Sequence, residues 1–314
     1  MAQIELAALV LIVCLGHLLG ALMAIGATRL LGYDQSDLIH TLSSNTSSAA
    51  LDTVRLLLAI NHVFTFILPT LALGWLLYRG SGIARALATD SLTTATTPRL
   101  DWAYRLRLHR RPDGLNVAIS CGWIVLALFA AGILLKLNQL LPLPDGLAAA
   151  EERIGGTITA LVATDRPIGL LLNLVVIAIL PALGEELLFR GWIQQSLHRW
   201  IGHGHAAVWV SAAVFSAIHF QFQGFLPRLM LGAVLGYMLL YTRNLWVPII
   251  AHFVNNGLQL VVQYIYSGDE AVAAAEVAPF SFALAVQVLT MIGLVVLAGY
   301  GLYRYNVDYT PLRE

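Results

Sequence analysis

The chain has 314 residues, 58% of them hydrophobic and only 11% charged, with 18 basic and 18 acidic side chains that cancel. Soluble domains carry about a quarter charged residues, so this composition excludes a soluble globular domain, and zero net charge argues against nucleic acid as a partner. Two cysteines in apolar runs, Cys14 and Cys121, without CxxC spacing, argue against a disulfide framework or a cysteine metal site.

In chain order, the first apolar segment lies near residues 4–28 and has no Lys or Arg before Arg29. A cleaved signal peptide has a basic start and a shorter apolar core, so this segment is expected to be a first membrane anchor. Seven more apolar segments follow, near 54–78, 116–138, 168–190, 206–222, 228–243, 245–264 and 281–303. At 1.5 Å per residue, about 20 residues cross the hydrocarbon core. The expected fold is therefore all-α: a polytopic membrane bundle of about eight transmembrane helices. The alternation that marks barrel strands is absent.

Three parts are expected. Residues 1–165 give three helices and a basic loop, residues 166–265 a core of four helices, and residues 266–314 a loop and a last helix. Residues 32–52 carry acids but no basic side chain, whereas 79–114 carry Arg79, Arg85, Arg99, Arg105, Arg107, Arg110 and Arg111. The positive-inside rule puts that second loop in the cytoplasm. With eight spans, both termini and the links near 198–205 and 243–244 then fall on the same side. Residues 100–111 read as a solvated basic loop lying along the lipid.

Ionisable residues inside spans mark functional sites by default. Glu185-Glu186-x-x-x-Arg190 puts Glu186 and Arg190 one helical turn apart, an i,i+4 ion pair, with Glu185 turned about 100° away. Phe215-x-x-x-His219 and His252-x-x-x-Asn256 are also one-turn pairs, while Asn61-His62 has no comparable spacing. Gly232 and Gly236 form a GxxxG that lets a neighbouring helix approach closely. Glu185 precedes the turn at Gly202 by 17 residues and His219 follows it by 17, so two continuous antiparallel helices would hold them level. The depth of His252 is open. A carboxylate and imidazoles can hold and deprotonate a water. Glu185, His219 and His252 could instead ligate zinc or another divalent metal, and the same groups could serve a transporter. There is no HExxH, so the usual zincin helix is missing.

EExxxR, FxxxH and HxxxN, in that order on separate apolar segments, resemble the CPBP family of type II CAAX prenyl endopeptidases and Abi, or bacteriocin-processing and immunity, proteins. The resemblance covers about residues 168–260. It implies an intramembrane endopeptidase in which Glu185 activates water with His219 as its partner, and His252 and Asn256 complete the site and bind the oxyanion. Glu186 and Arg190 would support them. It also implies a protein or peptide substrate, lipidated in the CAAX case, and a site opening to the cytoplasm. That opening sits uneasily with the span count, which puts Glu185 some 25 Å along its helix from the cytoplasmic turn. A metal-bound and a metal-free water both fit the motifs, and an immunity protein or transporter retaining them is the alternative. Oligomeric state is not legible.

Overall fold

The computed structural model describes residues 2–33, 48–78, 101–163, 166–266 and 282–308. Most of the acidic loop, and Arg79, Arg85 and Arg99 of the basic one, lie outside these residues. All described regular structure is helical. Helix α1 is Ala2–Leu30. Helix α2 runs from Ser48–His62 through a π turn at Val63–Ile67 into Leu68–Tyr78. After the five-residue α3 (Asp101–Arg105) come α4 (Gly114–Asn138) and α5 (Asp145–Val162). Helix α6 is the long Pro167–Ile201. Then follow α7 (Gly204–Ala217), α8 (Phe225–Thr242), α9 (Trp246–Ile265) and α10 (Phe282–Asp308).

All eight apolar segments are helices, and six helices are long and apolar enough to cross a membrane. Helix α7 is shorter than expected: it stops at Ala217, before a turn that holds His219 and a 3-10 turn at Phe222–Gly224. Helix α5 has no counterpart in the sequence reading, because Asp145, Glu151, Glu152 and its glycines mask a weak apolar face. The basic loop also differs from expectation. Leu106 is fully buried, and Arg105 donates to Gly191 O, Ser196 Oγ and Glu5. The segment is docked on the bundle because its arginines find carbonyl and carboxylate acceptors there.

That docking defines one end of the molecule. Glu5 near the N-terminus pairs with Arg105 and Arg199, and Leu245 N, Asn244 Nδ2 and Trp246 Nε1 donate to the Arg107, Arg110 and Leu108 carbonyls. Asn306 near the C-terminus bonds Asn116, and Tyr305 bonds Asp113. So the start of α1, the end of α10, the docked loop and the α6–α7 and α8–α9 links share this end. Arg107 is pushed down to about 10, by burial first and then by Arg243, Arg105 and Arg199. It remains charged at neutral pH.

Helix α6 is the axis of the bundle. Between Gly184 and Leu197 it is buried on nearly every face, as expected of a helix enclosed by others. Leu187, Leu188, Phe189 and Trp192 pack with Leu9, Leu73, Leu106, Phe215 and Leu239 in one cluster. A second cluster joins α4, α8, α9 and α10 through Trp123, Ile124, Leu235, Met238, Val247 and Leu302.

Two prolines shape the helices that carry the site. Pro69 in α2 and Pro181 in α6 each follow a π turn, and each turn closes with a bond five residues back, Leu68 N to Val63 O and Leu180 N to Val175 O. A proline lacks the N–H for the carbonyl four residues before it and crowds that carbonyl; the wider π turn makes room. For Pro181 that carbonyl belongs to Ile177, and it accepts from Asn256 Nδ2 at 3.1 Å. Asn256→Ala is therefore expected to cost about 1–3 kcal/mol in the parent, as a partly buried carbonyl inside a membrane helix loses its donor. In a Pro181→Ala background, where the backbone of the new residue can supply the missing N–H, the cost should fall below about 1 kcal/mol. Thermal unfolding of the two single variants and the double variant measures this coupling; additive losses would contradict it.

Candidate active site

The EExxxR segment is held by its own helix and by α8. Glu186 Oε1 accepts from Arg190 Nη1 at 2.7 Å, the expected i,i+4 pair, with both side chains within 1% of full burial. Arg190 Nη2 donates to Gly232 O at 2.7 Å, and one turn on, Gln194 Nε2 donates to Gly236 O at 2.9 Å. The GxxxG thus lets α7 pack closely through Val208, Ala212 and Phe215, and leaves two glycine carbonyls within reach of the α6 side chains. A Cβ at Gly236 would stand 2.8 Å from Gln194 Oε1, and one at Gly232 3.2 Å from Phe215. A cation buried this deeply needs every donor directed, and the Gly232 carbonyl supplies part of that for Arg190.

Phe215 explains the first residue of FxxxH. Its ring lies under the Arg190 guanidinium, 4.8 Å from atom to centroid, and packs edge-on against Phe189, His219 and His252. Its backbone carbonyl takes the Nδ1 proton of His219 at 2.7 Å. One residue both covers the buried cation and orients the histidine.

Glu186 Oε1 also accepts from His252 Nδ1 at 2.8 Å. This bond fixes the depth of His252, which sequence left open: eight residues past Asn244, about 12 Å along α9 from the basic end, and level with the glutamates. His252 Nε2 then faces Glu185, 3.8 Å from Oε2. On the other side, His62 Nε2 stands 3.6 Å from Glu185 Oε1, and His62 Nδ1 donates to Leu58 O. His62 is the site residue that motif spacing missed. It arrives because Gly184 lets α2 approach closely: a Cβ there would be 2.8 Å from Phe66, one turn beyond His62. A histidine in an apolar run, followed seven residues later by proline, was the available signal.

The result is one carboxylate and three imidazoles around a cavity of about 500 Å³. His62, His219 and His252 each have Nδ1 tethered, to two backbone carbonyls and one carboxylate, which leaves Nε2 unprotonated in the neutral ring. His219 lines the cavity within electrostatic reach of Glu185 but beyond ion-pair distance, so the equal-count estimate puts it near rather than against the glutamate. The π turns in α6 and the early end of α7 account for that offset. Asn256 lines the same cavity, with Nδ2 on Ile177 O and Oδ1 accepting from Asn255. The donor chemistry would suit a divalent ion, but among the described residues no three His, Cys, Asp or Glu side chains are grouped to hold one.

Fold and site together define a helical membrane protein with a carboxylate and imidazoles gathered in an intramembrane cavity. Residues 167–258, from the start of α6 into α9, match the family model described as Type II CAAX prenyl endopeptidase Rce1-like. All three motifs lie in that stretch, so the resemblance drawn from them holds there. Over 86 residues the chain is 31% identical to YpbD, an uncharacterized protein of Bacillus subtilis (strain 168), across 26% of this chain and 41% of that one. The chain therefore matches less than half the length of this relative. No solved structure matches.

Proposed function

We propose that this protein is an intramembrane endopeptidase that hydrolyses a peptide bond with a water activated by Glu185. The observation that carries the reading is the division between the two adjacent glutamates. Glu186 is engaged by Arg190 and His252 through one oxygen. Glu185 instead faces the cavity and two imidazole Nε2 atoms, both standing just beyond hydrogen-bond distance. A carboxylate so placed can take a proton from water as the hydroxide adds to a peptide carbonyl. With Nε2 protonated as well as Nδ1, the charged imidazoles would donate to the resulting oxyanion; in the neutral form their bare Nε2 atoms can only accept. The C–N bond then breaks as the proton passes to the leaving amine. Asn256, with one amide N–H left over, is a further candidate donor to the oxyanion. The apolar walls, among them Leu58, Leu128, Leu135, Val176 and Leu231, suit an apolar peptide or one bearing a lipid.

The substrate enters, in this reading, from the end opposite the basic one. The site cavity shares Leu135, Gly224 and Arg228 with a second cavity lined by Gln139, Glu151, Glu152, Gln221 and Gln223, all remote in the fold from the docked arginine segment. The positive-inside rule puts the basic end, and with it both termini, in the cytoplasm. The opening would then be extracytoplasmic, which favours a peptide processed outside over a cytoplasmic prenylated tail.

A membrane-impermeant quenched peptide panel, offered to right-side-out and inverted vesicles, tests both parts against Glu185→Gln vesicles as the background. Cleavage by right-side-out vesicles alone is expected. Cleavage by inverted vesicles alone would reverse the sidedness, and none in either would overturn the hydrolase reading.

A further inference from the structure

One cation of the cavity stands apart from the ion pairs of the described residues. Arg228, in the first turn of α8, lines both the catalytic cavity and the outer one. Its guanidinium is steered by Gln221: Nη2 donates to Gln221 Oε1 at 2.7 Å and Nη1 to Gln221 O at 3.3 Å. The group folds back over Gly224, where a Cβ would stand 3.1 Å from Nη2. Among the described residues no carboxylate comes within ion-pair distance of it.

The two nearby acids are committed elsewhere. Glu151 accepts from the backbone N–H groups of Phe222 and Gln223. Glu185 faces His62 and His252. Both act on Arg228 only at a distance. A half-buried arginine in a membrane protein is costly without an anion, and its planar fork fits a carboxylate with two parallel bonds. Three further features fit a ligand there. Gln221 pre-sets the fork, Gly224 clears the space beside it, and the guanidinium borders the cavity that holds the water-activating carboxylate.

We propose that Arg228 binds the free C-terminal carboxylate of the substrate peptide and so places a bond a few residues upstream of the C-terminus over Glu185. The assignment rests on the hydrolase reading above and deepens it. An acidic side chain offers the same chemistry, so the test separates the two sources.

Three quenched peptides of one sequence serve as probes: a free acid, its C-terminal amide, and the amide with an Asp replacing the penultimate residue. For the parent in nanodiscs, kcat/KM is expected to be about tenfold or more higher for the acid than for the plain amide, carried mainly by KM. In Arg228→Gln the ratio should fall to near one, and Arg228→Lys should keep part of it, since Lys retains the charge without the fork. Each ratio compares substrates on one preparation, so a partly folded variant does not distort it. Equal cleavage of acid and amide by the parent, or a ratio that survives Arg228→Gln, would overturn the assignment while leaving hydrolysis standing. Restored cleavage of the Asp-bearing amide would overturn the C-terminal anchor in favour of a side-chain carboxylate. No cleavage of any of the three would instead count against the hydrolase reading.

Discussion

Glu185→Gln is expected to lower kcat roughly 10²–10⁴-fold while leaving the unfolding transition where it is. The exchange keeps the shape of the side chain and removes only its basicity. Stability should not follow activity down, because Glu185 makes no hydrogen bond that the described fold relies on: its nearest partners are imidazole nitrogens at 3.6 and 3.8 Å. Initial rates on a quenched peptide, beside thermal unfolding of the same preparations, check the two halves. A Gln variant with more than about a tenth of the parent rate would remove Glu185 from the chemistry, since general-base assistance is worth more than that. A variant that loses activity and stability together would make it a framework residue like its neighbour.

Arg190→Met should do the opposite and strike the fold first. Met keeps much of the volume but leaves the Glu186 carboxylate, fully buried, with only His252 to answer it among the described residues. Removing one partner of a buried ion pair typically costs about 3–5 kcal/mol, because the remaining charge is stranded. Here Gly232 O also loses its donor, and Phe215 loses the cation above its ring. Replacing both members, as Glu186→Leu with Arg190→Met, should recover part of the loss, since a buried pair exchanged for apolar side chains of similar size is often close to neutral. Recovery should stay incomplete, because His252 Nδ1 would then lack its acceptor. Unfolding of the single and double variants in detergent or nanodiscs measures this; an Arg190→Met transition at the parent temperature would contradict the framework role.

The two glutamates show how much of the site was legible. Helical spacing alone pairs Glu186 with Arg190 and turns Glu185 away from that pair, as the structure has it, with Glu185 facing His62 and His252 instead. The GxxxG is also legible as a close-approach groove, though not that Arg190 and Gln194 would bond the glycine carbonyls. His62 is legible only as an ionisable residue inside a span; its place in the site is not, because it comes from another helix and its approach depends on Gly184 and a π turn that no spacing rule anticipates. Asn256 reads as an oxyanion donor, and its bond to the carbonyl that Pro181 leaves without a partner appears only once two helices are side by side. The docked segment around Leu106 reads as a solvated loop for a similar reason: arginine-rich sequence looks exposed until its acceptors are placed. Apolar length finds a helix at each of the eight expected segments, but only six helices are long and apolar enough to cross a membrane, and it misses where α7 stops, since Phe220 and Phe222 extend the apolar run past its end.

The site's orientation follows from the same geometry. The level of His252 puts the glutamates about 12 Å along α9 from the basic end, and the cavities lead away from that end. Sidedness thus turns on the arginines, which the vesicle experiment reads directly.

The most direct test of the central proposal is the fate of the water oxygen. A peptide cut by the purified protein in ¹⁸O-labelled water, followed by mass spectrometry, should yield a new C-terminal carboxylate carrying one ¹⁸O in the parent, and in Glu185→Gln at most about a hundredth as much in the same time. A peptide left whole by the parent, or labelled product from Glu185→Gln at the parent rate, would contradict a hydrolysis driven by that carboxylate.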